Sequence, residues 1–201
     1  PQAAGSATDN VARVLAAEDV VMHAGGTLTN SVKREGTESV GEVQRYRRTT
    51  HNWLGLPRRD AGFTVKYGEL AGTHTDAYIK AANDVVLEAH SIVNRGGNIY
   101  ADAGDIRLSA VERIDNAGLA IGEAHFKRHC NVLFCRASAG SDVSVSGGEL
   151  SAAHNVYLMA GEAIENVGGR VLALDDLTLT APRVSARGIV GYTSLERDGG
   201  M

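Results

Sequence analysis

Three sets of side chains in this sequence have the types to do chemistry. Asp19, Asp84, Asp105 and Asp176 each open a short apolar run, and carboxylates brought into one row would hold Ca²⁺ or form an acid pair for glycan cleavage. Asn155 and Val132 break that row, and Asx capping of a turn explains Asp and Asn alike, so the row is assigned to structure. His125, His129, Cys130 and Cys135 have the letters of a zinc set, but their spacing fits no established finger pattern. The third set is Arg45, Arg47, Arg48, Trp53, Arg58 and Arg59. Forked cations beside an indole suit sulfated or carboxylated glycans, through bidentate hydrogen bonds and ring stacking. These six are the candidate ligand-binding residues, although the same side chains would also lay a hairpin against an acidic surface. No Ser/His/Asp grouping can be assembled from spacing, and the Gly-Gly pairs precede strands rather than helices, which removes phosphate-loop readings. No catalytic residue, metal site or cofactor is assigned, and the chain is not read as an enzyme.

What positions these residues is a repeat. The stretch from Asp84 to Ala101, DVVLEAHSIVNRGGNIYA, comes back from Asp105 as DIRLSAVERIDNAG and from Asn155 as NVYLMAGEAIENVGGRVLA. Leu87 and Leu108 are 21 residues apart, as are Leu158 and Leu179. An Ala closes the first run at Ala24, Ala89, Ala110, Ala137, Ala160 and Ala181. Two residues before it stand Met22, Leu87, Leu108, Cys135, Leu158 and Leu179. A second run pairs an apolar residue with Asn: Leu28 with Asn30, Ile92 with Asn94, Ile114 with Asn116, Ile164 with Asn166. Glycine follows, then a third inward residue such as Ile99, Leu150 or Val171.

Apolar residues two apart share one face of a strand, which rules out a helical stripe. A unit this small cannot bury that face alone, so copies must stack and share a core. The expected fold is all-β: a right-handed parallel β-helix of about 21-residue coils, right-handed because parallel crossovers almost always are. A 5% aromatic fraction and 24 Gly among 201 residues suit narrow coils filled by Val, Leu, Ile and Ala. The stacked Asn are expected to hydrogen-bond one another and the backbone.

The array is interrupted twice. Residues 31–75 are read as an extruded excursion. Val40 to Thr50 and Phe63 to Leu70 flank a turn at Gly55-Leu56-Pro57, which suggests a long β-hairpin. It carries eight basic and five acidic residues, in a chain of net charge −4. A smaller bulge is expected over 123–131, with Cys135 returning to an inward slot. On a regular strand Cys130 and Cys135 would lie too far apart to bridge, so two free thiols are expected, unless a turn at His129 to Val132 folds them together. Residues 1–201 are otherwise read as one segment of a longer array. The acidic balance argues against nucleic acid, no apolar run is long enough to span a bilayer, and a monomer is expected.

Repeats of the form D-[VIL]-x-L-x-A followed by I-x-N-x-G-G-x-I-x-A resemble the shaft repeats of the filamentous haemagglutinin family, the large exoproteins of bacterial two-partner secretion. The family includes adhesins and contact-dependent growth-inhibition effectors. The resemblance covers most of residues 8–190, and the RYRRTTHNWLG segment is similar to polar hairpins that interrupt such shafts. It implies export through a dedicated outer-membrane partner and display at the cell surface. The chain would then be a secreted adhesin shaft segment whose partners are a host or neighbouring-cell receptor or glycan, with heparin-like acidic glycans suited to the excursion. Two alternatives are the presentation shaft of a growth-inhibition effector and a polysaccharide lyase or hydrolase on the same fold, the latter needing two or three carboxylates on one groove face.

Overall fold

Apolar residues alternating with polar ones produce strands throughout, and a computed structural model shows how they are joined. It describes residues 2–3, 8–10, 13–32, 34–35, 42–70 and 77–189; Lys33, Glu38, Val40 and other expected positions such as Val190 lie outside them. The architecture is all-β. Among the described residues there is no helix, and so none long and apolar enough to cross a membrane. The described residues fall into two compact units, one drawn from within 1–35, 70–119 and 145–189, the other from within 36–69 and 120–144.

The first unit is built of parallel ladders in which like stands over like. In the first ladder Val20, Val85, Ile106, Val156 and Leu177 occupy one row, and Met22, Leu87, Leu108, Leu158 and Leu179 the next. In the second, Leu28, Ile92, Ile114, Ile164 and Val184 are aligned. The third aligns Val14, Ile79, Ile99, Leu150 and Val171, then Ala16, Ala81, Ala101, Ala152 and Ala173. Between the outermost strands these inward residues form one continuous apolar core, with Ile79, Leu87, Ile99, Ile106 and Leu150 wholly buried, while Leu177, Leu179 and Val184 on the last strands are exposed. Each such side chain contributes about 2 kcal/mol of transfer free energy. Branched and small side chains recur because a residue facing its own kind one strand away, about 4.8 Å distant, must tolerate the same shape above and below.

The Asn row explains the glycines that follow it. Asn30 Nδ2 donates to Asn94 Oδ1 (2.8 Å), Asn94 Nδ2 to Asn116 Oδ1 (2.7 Å) and Asn116 Nδ2 to Asn166 Oδ1 (2.8 Å). Backbone carbonyls of Asn98, Gly148 and Gly169 take further amide hydrogens from Asn30, Asn116 and Asn166. These amides fill the corner where the chain turns into the third ladder. A Cβ on Gly97 would lie 2.4 Å from Asn30 Nδ2, and one on Gly169 would lie 2.5 Å from Asn116 Nδ2. The preceding Gly96 and Gly168 turn with φ of +69° and +62°, in the left-handed region where a side chain is strained. One glycine makes the bend and the other leaves room for the ladder.

Both interruptions leave the first unit at this same corner, between the second and third ladders. One departs after Ser31 and returns by Tyr78, and the other departs after Ala117 and returns by Glu149. The first includes the expected hairpin, Glu42–His51 paired antiparallel with Pro57–Leu70. The second corrects the sequence reading. Cys135 and Ala137 do not occupy inward slots of a further parallel row, because Ile106–Ala110 pairs directly with Val156–Ala160. Nor is there a short bulge over 123–131: Leu119–Cys130 and Cys135–Ser141 form a second antiparallel hairpin, and Cys135 is exposed.

The ladder and the glycine that accommodates it should be energetically coupled. Asn30→Ala should cost about 2 kcal/mol, by leaving the Asn94 carbonyl oxygen short of a donor, and Gly97→Ala a similar amount through overpacking. The double variant should lose clearly less than the two together, as read from urea unfolding of all four proteins; strict additivity would refute the steric account. In the apolar rows, Leu87→Ala should cost about 3 kcal/mol, whereas Leu133→Ala should leave the urea midpoint almost unmoved.

Candidate functional site

The second unit is an antiparallel sheet in which strands follow one another as Glu42–His51, Pro57–Leu70, Leu119–Cys130 and Cys135–Ser141. Asparagine builds both of its turns. Asn52 Oδ1 accepts from the backbone N–H of Leu54 and of Leu56, with Gly55 supplying a φ of +73° between them. Asn131 Oδ1 accepts from the N–H groups of Leu133 and Phe134. That second turn reverses the chain at once, placing Cys130 opposite Cys135 with Cα atoms 4.0 Å apart, and the two form a disulfide. The expectation of free thiols is therefore overturned, by the turn that would fold the pair together. The distance argument fails because the five residues do not run along one strand.

Register decides which candidate cations act together. Arg45 lies opposite Phe63, which lies opposite Phe126; Arg47 lies opposite Ala61 and, beyond it, Arg128; Thr49 lies opposite Arg59 and then Cys130. Because side chains alternate between the faces of a sheet, Arg45, Arg47, Arg59 and Arg128 share one face. Its floor is apolar: Val65 and Ala124 are buried, and the rings of Phe63 and Phe126 stack 5.6 Å apart. On the opposite face Arg48, Asp60, His129 and Arg136 make one cross-strand row, beside the row of Tyr46, Gly62, Lys127 and Ser138. His129 is ordered from both sides there. Its Nδ1 is hydrogen-bonded to Asp60 Oδ1, and its Nε2 accepts from Arg58 Nε at 2.9 Å. A shallow hollow of about 460 Å³ opens beside this row, lined by Tyr46, Arg48, Asp60, Lys127, Arg128 and His129.

The six sequence candidates thus do not form one patch. Arg45, Arg47 and Arg59 face one way, Arg48 and Arg58 the other, and Trp53 sits in a turn with 90% of its surface exposed. The parity of their numbers carries that signal: residues 45 and 47 are two apart on a strand, whereas 47 and 48 are neighbours. Arg128, Lys127 and Arg136 were missed because Leu133-x-Cys135-x-Ala137 imitates the apolar spacing of a stacked run.

Comparison with protein-family models, with curated proteins and with solved structures finds no match for this chain.

The remaining candidates resolve into structure. Along the Asp row each side chain accepts the N–H of its counterpart in the next strand. Asp84 N donates to Asp19 Oδ1, Asp105 N to Asp84 Oδ1, Asn155 N to Asp105 Oδ1 and Asp176 N to Asn155 Oδ1. Asn155 fits this row as well as Asp does, since a carboxamide oxygen accepts the same bond. Arg107 pairs with both Asp84 and Asp105. His125, His129 and the two cysteines do not assemble a metal site, for the cysteines are bonded to each other and His129 engages Asp60 and Arg58. Among the described residues no group of three or more His, Cys, Asp and Glu side chains could hold a metal ion.

Burial pushes the Asp105 carboxyl up, but hydrogen bonds from the Asn155 backbone and side chain, with the Arg107 and His154 charges, outweigh it and leave the group below its ordinary value. A carboxyl depressed in the folded state stabilises fully above its unfolded value, near 3.8, and loses that contribution as pH falls through the folded value. Asp105→Asn keeps the acceptor but not the titration. It should therefore lower the urea midpoint slightly at pH 7 and narrow the difference between midpoints at pH 7 and pH 3; an unchanged acid limb would remove Asp105 from the pH dependence.

Proposed function

We propose that the chain is a segment of the shaft of a secreted bacterial adhesin, resembling the filamentous haemagglutinin type, with no chemistry of its own. In this reading the parallel ladders are a right-handed β-helix with coils of about 21 residues, the offset between the Val85 and Ile106 strands. The shaft carries binding elements away from the cell envelope, and the antiparallel sheet is one such element. The observation that carries this reading is the like-over-like register of the ladders. Rows of identical or similar side chains, hydrogen-bonded along their whole length, make a stiff support for something else. The Asp row supports a structural role too, since its oxygens are engaged by neighbouring N–H groups and by Arg107. A lyase or hydrolase would need carboxylates aimed at a substrate.

The ligand class follows from the guanidinium face. Arg45 and Arg47 are about 6.8 Å apart along one strand, and Arg59 lies diagonally across from Arg47. Spaced forks beside half-buried aromatic rings fit a linear acidic glycan on a host or neighbouring cell, each fork taking one sulfate or carboxylate and the Phe63 and Phe126 rings taking sugar-ring C–H groups. Display would proceed through an outer-membrane secretion partner acting on the parent protein.

Retention on immobilised heparin tests the assignment. Arg45→Ala with Arg47→Ala should elute at distinctly lower salt than the parent, while Arg48→Ala, on the other face, should elute close to it. Equal retention of the parent and the double variant would dismiss the glycan site.

A further inference from the structure

Both turns of the antiparallel sheet lie at the same end of it. His51 is opposite Pro57, and Cys130 is opposite Arg59, so the Asn52–Leu56 turn and the Asn131–Phe134 turn emerge side by side. Surface turns are ordinarily built from Gly, Pro, Asn, Asp and Ser. Here an Asn framework instead presents Trp53, Leu54 and Leu56 on one tip and Val132, Leu133 and Phe134 on the other, all exposed, Trp53 by 90% and Leu133 by 88%. Six such residues clustered in space mark an interaction surface, whereas scattered ones would not. Their backbones are already fixed, one by the hydrogen bonds to Asn52 and the other by those to Asn131 and the Cys130–Cys135 bridge, so little ordering entropy opposes docking.

The charges behind the tips say what they dock on. Arg58, Arg59, Arg128 and Arg136 stand in the rows next to the turns, together with Arg47 and Arg48 on the neighbouring strand, and Asp60 is the single carboxylate of those rows. Glu123 and Asp142 lie at the far end of the sheet, where Asp142 Oδ1 accepts from Glu123 N. Apolar side chains projecting furthest, an indole among them, and guanidiniums two to four residues behind are the order in which a bilayer presents its acyl chains, interface and phosphates. An apolar protein groove would accommodate the tips but offer no negative charge to the guanidinium groups behind them, as an anionic headgroup layer does.

We propose that this end of the sheet docks on an anionic phospholipid surface, inserting the two tips into the interface while the arginines bind headgroup phosphates. The proposal shares Arg59 with the glycan face but rests on the two apolar tips, which that face does not include. Trp53 is the only tryptophan in the chain, so intrinsic emission reports on one tip directly. With the full chain and vesicles of phosphatidylcholine with phosphatidylglycerol, Trp53 emission should shift to the blue and be quenched by lipids brominated near the headgroup end of the acyl chain. Pure phosphatidylcholine vesicles should give far less of either. Leu133→Asp with Phe134→Ser should reduce partitioning about a hundredfold. Arg58→Gln with Arg59→Gln should reduce it about twentyfold and remove the preference for the anionic lipid. All these sites are exposed, and unchanged far-UV circular dichroism would establish that each variant is folded.

Three results would overturn the proposal: no spectral shift with anionic vesicles, vesicle binding without quenching, or partitioning of the Leu133/Phe134 variant equal to that of the parent. The second would mean that the cations bind the surface without insertion, and a shift produced by an added protein but not by vesicles would identify an apolar protein partner instead. The Arg45/Arg47 variant separates the two assignments. It should lose heparin retention and keep most of its vesicle partitioning, whereas the Leu133/Phe134 variant should lose partitioning and keep heparin retention.

Discussion

A side-chain amide buried in an apolar interior must find partners for its hydrogens and its oxygen, and in this protein most of them come from another copy of itself. Asn30, Asn94 and Asn116 are buried, and each reaches the asparagine of the next row. An unpaired buried amide costs roughly 1–3 kcal/mol, so any slip of one strand relative to the next would break bonds at several rows together. The apolar rows of Val, Leu and Ile tolerate small displacements. The amide row does not, and it therefore sets the register that every other row inherits. The corner glycines serve the same constraint, because a side chain at Gly97 or Gly169 would occupy the amides' space.

That logic is also why so much of the first unit can be read without coordinates. A slot filled by Val85, Ile106, Val156 and Leu177 is visible because each copy has the same structural neighbour and so the same requirement. The Asn ladder and the hairpin between Glu42–His51 and Pro57–Leu70 are legible on the same grounds, repetition in one case and strand–turn–strand alternation in the other. Residues 132–137 are not legible, for a physical reason. An apolar residue every second position states that one face is covered, and it says nothing of whether the cover is a parallel strand one row away or an antiparallel one across a tight turn. Asn131 decides between these by accepting two backbone N–H groups, a contact that leaves no periodic trace. The disulfide follows from that turn, and so do the cations Lys127, Arg128 and Arg136, which only the pairing of the two hairpins brings beside Arg47, Arg48 and Arg59.

The two units use the strand in opposite ways. Inside the ladders, away from their outermost strands, both the inward side chains and the strand edges are engaged by neighbours of like sequence, and the outward positions hold pairs such as Lys80 with Asp102 or His90 with Glu112, exposed and contributing little. In the antiparallel sheet few side chains are buried, and its faces carry arginine, lysine and histidine in ordered rows. One part of the sequence is constrained by repetition and the other is free to specify a surface.

Both hairpins depart from the same corner of the ladders, with one uninterrupted turn, Arg95 to Asn98, between their points of departure. The strands Pro57–Leu70 and Leu119–Cys130 then pair with each other, although the residues they join are about sixty positions apart in the chain. Neither hairpin completes that sheet alone. They are consequently a single heritable module written in two places: transplanting one to another array, or deleting one during recombination between repeats, would strand the other with a naked edge, so the pair has to travel together or be lost together.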